Sequence, residues 1–154
     1  MTLSLWPATL PAGDRDPANA PAALYARGNH HIDGTGPRNP ARAAHLFEAA
    51  ATRGYAPAQT ALARMLVAGV GDAAPDPDAA IVWYRKAALQ GHVPAQVGLG
   101  IQLAAAGEAH FAEAHGWFAR AEAAGGELAV QARILRERLE RHMAGEGIHR
   151  ARQP

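Results

Sequence analysis

DPDAAIVWYRKAALQGHVPAQVGLGIQL, residues 76–103, reads as a helix, a tight turn and a second helix. Asp76 is an N-cap residue and Pro77 stands in the first turn, where no backbone donor is needed. Ala80, Trp83, Tyr84, Ala87, Ala88 and Gly91 fall at i, i+3, i+4, i+7, i+8 and i+11, which is one face of a helix. Gly91 takes the post-helical position where a left-handed conformation is cheap only for glycine. Pro94 then opens the second helix, on which Ala95, Leu99, Gln102 and Leu103 keep the helical spacing.

The same grammar precedes it in NPARAAHLFEAAATRGYAPAQTALARML, residues 39–66. At one constant offset of 37 positions, Asn39-Pro40 matches Asp76-Pro77, Phe47 matches Tyr84, Gly54 matches Gly91 and Ala58-Gln59 matches Ala95-Gln96. Composition does not produce that many coincidences at one offset. The chain therefore contains an internal repeat slightly longer than the ~34 residues of a tetratricopeptide unit. A third, degenerate unit follows: Trp117-Phe118 matches Trp83-Tyr84, and Gly125-Gly126 replaces the single turn glycine. Its second helix places Leu128, Ala132, Leu135 and Leu139 on one face of an otherwise polar, arginine-rich segment, as a terminal capping helix requires.

Outside the repeats, residues 1–17 read as an irregular arm with Leu3, Leu5, Trp6 and Leu10 as anchors. Residues 18–27 read as a short helix with Asn19 as N-cap, stopped by Gly28. The repeat domain is expected over residues 18–143 and a flexible tail over 144–154. One hydrophobic core fits a chain of 154 residues. Hydrophobic residues make up 49% of it but aromatics only 6%, so alanine supplies the packing and helices can approach closely. The absence of cysteine excludes disulfides, thiolate metal sites and cysteine nucleophiles. A net charge of +1 predicts neither nucleic acid nor an anionic membrane as partner. The N-terminus lacks a basic region before its apolar residues, and no run approaches the ~20 residues of a membrane span. The composition suggests a bacterial source, and a cytoplasmic protein is the expectation.

Residues 76–103 carry a resemblance. They are similar to the Sel1-like repeat, a relative of the tetratricopeptide repeat, whose pattern is an Asp-Pro start followed by A-x-x-W-Y-x-K-A-A-x-x-G-x-x-x-A-Q-x-x-L-G. The matching positions are Asp76-Pro77, Ala80, Trp83-Tyr84, Lys86-Ala87-Ala88, Gly91, Ala95-Gln96 and Leu99-Gly100. Residues 39–66 match with Leu46-Phe47 for Trp-Tyr and Ala63 for the last glycine, and the match is poor beyond Gly107. The resemblance implies an all-α, right-handed α/α superhelical solenoid of about three helix-turn-helix repeats. It further implies a non-enzymatic adaptor that binds proteins or peptides and needs no cofactor.

Chemistry of other kinds finds little support. His30-His31 with Asp33, and His110 with His115, lack the spacing and the glutamate of a zinc-protease motif. Gly98-Leu99-Gly100 lies inside a helix, so it is no phosphate loop. Trp83-Tyr84 and Trp117-Phe118 follow the core stripe and are read as packing residues. Glu127, Glu137, Glu140 and Glu146 interleave with the arginines of the last helix, which favours a salt-bridged solvated face over a nucleic-acid one. The expected partner surface is the first helix of each unit, taken to line the inner wall. It comprises His45, Glu48, Ala49 and Thr52, then Val82, Arg85, Lys86 and Leu89, then Gly116, Ala119, Arg120 and Ala123. The function expected is an adaptor or regulator presenting this ladder to a protein or peptide. The alternative is an immunity-type modulator of a cell-envelope or secretion-linked enzyme or toxin.

Overall fold

The computed structural model describes residues 16–33, 35–70 and 74–150, with side chains through residue 145. Seven α-helices occur among the described residues, and no strand. They are α1 (Pro21–His30), α2 (Pro40–Ala51), α3 (Ala56–Ala68), α4 (Pro77–Leu89), α5 (Val93–Ala105), α6 (Phe111–Ala123) and α7 (Glu127–Arg150). Short 3₁₀ turns precede α1 (Pro17–Asn19) and α6 (Glu108–His110). Each helix packs against the next in the chain, giving an antiparallel helical solenoid.

The caps are those the sequence dictates. The side chains of Asn39 and Asp76 accept hydrogen bonds from the backbone N–H of Arg42 and Ala79, each at 2.9 Å. Pro40, Pro57, Pro77 and Pro94 stand at the first helical turns. Gly54 and Gly91 turn the chain at φ 84° and 81°, and Gly125 and Gly126 do so at 75° and 77°. A side chain at any of these positions would strain the backbone.

Alanine lines the contacts between helices and aromatics fill the layers between them. Ala43, Phe47, Ala50 and Ala51 of α2 are buried against Leu24 of α1 and Ala58 and Leu62 of α3. Ala80, Tyr84, Ala87 and Ala88 of α4 join Ala95, Leu99 and Leu103 of α5 and Phe111, Trp117 and Phe118 of α6 in a second cluster. Tyr84 is buried, whereas Trp83 is half-buried and packs against both clusters, so it joins neighbouring units. On α7, Ala132 and Leu139 are buried and Leu128 and Leu135 pack beside them, as a capping helix should.

Three expectations change. Asn19 ends a 3₁₀ turn instead of capping α1, whose N-cap is Ala20 without a side-chain hydrogen bond. Gly28 does not stop α1. It lies inside the helix, buried, where a Cβ would come within 2.4 Å of the Phe47 ring. The glycine is therefore a contact residue that lets α2 approach. Helix α7 continues to Arg150, so residues 144–150 are helical where an irregular tail was expected, and 151–154 lie outside the described residues. The expected arm, with Leu3, Leu5, Trp6 and Leu10, also lies outside them up to residue 15.

Candidate functional site

The helices form two rows. Helices α1, α3, α5 and α7 make up one row, in which each member touches the next. Helices α2, α4 and α6 make up the other, whose backbones stay apart among the described residues and meet only through side chains such as Arg85 and Glu113. A stack of helix pairs curves toward the row whose members approach, so the α1/α3/α5/α7 row is the inner wall. This corrects the expectation that the inner wall is built from α2, α4 and α6.

The ladder singled out from the sequence therefore stands on the outer row. His45, Glu48 and Thr52 are exposed on α2, and the Thr52 hydroxyl bonds back to the carbonyls of Glu48 and Ala49. On α4, Val82 is 50% and Leu89 70% exposed. The cations are engaged within the molecule. Arg85 of α4 donates to Glu113 of α6 at 2.7 Å, Lys86 lies 4.0 Å over the Trp83 ring, and Arg120 lies 4.5 Å over the Trp117 ring. Glu113 also accepts from the Trp117 indole, and Arg85, followed by that indole, holds its carboxyl below the usual range. These contacts tie α4 to α6 and steady the two tryptophans.

The inner wall follows the 37-residue repeat from α3 to α5. Exposed or half-buried positions on α3 are Pro57, Ala61, Arg64 and Ala68, and 37 residues later on α5 they are Pro94, Gly98, Ile101 and Ala105. One register position thus reads Arg64 on α3 and Ile101 on α5. On α7, whose unit follows at an offset of 34, Leu135, Arg138 and His142 face the same wall about one turn further along. Small residues around Arg64 and Ile101 leave the wall open.

Two grooves interrupt this wall. The first, of about 470 Å³, lies between α1 and α3, with Tyr25, Phe47 and Met65 as an apolar floor and Arg38 and Arg64 among its lining residues. The second, of about 410 Å³, lies between α5 and α7, with Ile101, Phe118 and Leu139 on its floor and Arg138 at its edge. The α3 and α7 residues lining them correspond at a single offset: Ala61, Arg64, Met65 and Ala68 become Leu135, Arg138, Leu139 and His142. Among the described residues neither lining contains a carboxylate. Among the described residues Arg38, Arg64 and Arg138 form no ion pair, whereas Arg136 is held by Glu122 and Glu140. Sequence reasoning grouped Arg138 with the salt-bridged arginines.

The titratable groups elsewhere serve the packing. His92, at the start of α5, bonds through Nδ1 to the Thr60 hydroxyl of α3 at 2.9 Å, and burial pushes its pKa below the usual value. Tyr84 is raised by burial, an effect that Arg64 opposes. Among the described residues no three His, Asp or Glu side chains come together as a metal site, and no helix is long and apolar enough to cross a membrane.

Comparison with known proteins fits this geometry. The Sel1 repeat family matches residues 21–55 and 56–92, so its unit begins at α1 and again at α3, the inner row. A comparison with curated proteins found no match. Among solved structures, a protective antigen of uropathogenic Escherichia coli with an SLR fold is similar at 29% identity and a TM-score of 0.66, covering 70% of this chain and 24% of that one. A Sel1 repeat protein from Oxalobacter formigenes is similar at 29% identity and a TM-score of 0.64, covering 73% of this chain and 46% of its own. The chain thus spans less than half the length of either relative.

Proposed function

Because residues 21–92 match two consecutive Sel1 repeats, which generally serve as protein-interaction modules, we propose that the chain is a non-catalytic adaptor or regulator. Its partner is a protein, bound along the wall of α1, α3, α5 and α7. The observation that carries this reading is the wall itself. It carries small residues such as Pro57, Ala61 and Gly98 beside two open grooves, each floored by apolar side chains and edged by arginine. A packed scaffold that leaves recurring open grooves on one face has the form of a peptide-binding solenoid. The outer row supports the opposite role, since its cations are spent on α4, α6 and their tryptophans.

Site-specific photocrosslinking tests the assignment. A photoreactive residue replaces Ala61 or Ala68 on the inner wall in one set, and Ala49 or Val82 on the outer row in another. Each variant is then used as bait for the partner recovered by affinity purification. Crosslinks from positions 61 and 68 are expected. Crosslinks confined to positions 49 and 82 would return the binding surface to the outer ladder.

A further inference from the structure

The two grooves share a floor and a charge. Each has an aromatic ring from an outer-row helix at its base, Phe47 in the first and Phe118 in the second, and both rings are almost wholly buried. Each also has an arginine of the inner row in its lining, Arg64 or Arg138, without an ion pair among the described residues. Ile101, 39% exposed, stands midway between them in sequence. A chain of net charge +1 has thus gathered cations without a lining carboxylate among the described residues around two apolar recesses on one face.

We infer that the two grooves together bind one acidic, apolar segment of a partner protein, each taking an apolar side chain onto its floor and a neighbouring carboxylate against Arg64 or Arg138. This rests on the inner wall being the binding face. Arginine suits the role because its fork donates two parallel hydrogen bonds to a carboxylate. Floors whose rings are buried offer no open face for a nucleobase to stack on, so a protein segment fits them better than a single-stranded nucleic acid. Two sites on one rigid stack convert the second contact into an intramolecular one, so a segment carrying two such pairs gains by avidity.

Fluorescence anisotropy with the full chain tests this. The probes are labelled peptides carrying two Leu-Asp pairs joined by Gly-Ser linkers of graded length, one Leu-Asp pair, or two Leu-Lys pairs, together with a labelled oligothymidylate. At the best linker length the two-pair peptide should bind at least about tenfold tighter than the one-pair peptide. Arg64→Glu or Arg138→Glu alone should reduce it to the one-pair level, and the double reversal should abolish binding while circular dichroism and Tm stay unchanged. The lysine peptide and the oligothymidylate should not bind. The inference is overturned if no peptide binds, if the lysine peptide or the oligothymidylate binds as well as the two-pair peptide, or if the reversals leave affinity unchanged. Photocrosslinks from positions 61 and 68 that persist alongside such a result would leave the binding face standing and remove only the acidic, two-site recognition.

Discussion

Gly100 and Gly116 are both helical glycines with opposite consequences. A Cβ on Gly100 would lie 2.5 Å from the Phe118 ring, and one on Gly98 would lie 2.5 Å from the Tyr84 ring. Gly28 meets Phe47 in the same way, so at three contacts an aromatic of the outer row presses against a glycine of an inner-row helix. Gly100→Leu should overfill that contact and cost about 1–3 kcal/mol, several degrees in Tm. Nothing lies within 4 Å of a Cβ at Gly116, on the exposed side of α6. Gly116→Ala should therefore stabilise by about 0.5–1 kcal/mol through helix propensity and reduced freedom of the unfolded chain. Thermal melts of the two variants should move in opposite directions. Gly28 shows why sequence alone misassigned one of these glycines. A glycine that ends a helix and one that admits a neighbouring ring look alike until the neighbour is in place.

Elements are joined by side-chain amides that the repeat supplies unequally. Gln59 of α3 donates to the Ala51 carbonyl at the end of α2, and Gln96 of α5 donates likewise to Ala88 at the end of α4. Gln59 in turn accepts from Gln90, the C-cap of α4, at 2.8 Å. The C-cap of α6 is Ala124, which has nothing to donate, and the buried Oε1 of Gln96 is left without a partner among the described residues. Ala124→Gln should restore the bond and add about 1 kcal/mol, read as a higher Tm that Ala124→Leu does not reproduce. His92 joins the same elements through Thr60. Its folded pKa lies below the unfolded value near 6.5, so its contribution is complete above that pH. As pH falls through about 6.5 the unfolded chain takes up the proton first, and stability declines until the folded pKa is passed. Tm measured from pH 7.5 to 5.5 should fall, and His92→Gln should flatten that profile. The turn glycines, the Asx caps and the Ala-Gln motif were legible because each is a local device. The Gln59–Gln90 bond and its absence one unit later were not, since they depend on which residues meet across units.

For the molecule as a whole, periodicity disclosed the stack of helix pairs but not the sense of its curvature. Cutting the repeat at Asp76-Pro77 made α4 look like a first helix, and the core stripe of either helix is equally regular from sequence. Only the approach of α3 to α5, set against the separation of α4 from α6, tells the inner row from the outer. The candidate surface moved for that reason. Arg85, Lys86 and Arg120 were visible as unexplained cations, but their use by Glu113, Trp83 and Trp117 is a tertiary fact. Arg64 and Ile101, matched at the 37-residue offset, were present in the sequence all along, on the helices taken for the outer wall.

The tight glycine turns join α2 to α3, α4 to α5 and α6 to α7, while the longer connections precede α2, α4 and α6. Ile32 and Arg38 in the first of those connections, with Gly69 and Val70 in the second, form part of the first groove's rim. The rim is thus written in segments that the alanine contacts do not constrain. A lineage of such proteins can drift in what it recognises by editing its loops, and keep the spine that displays them.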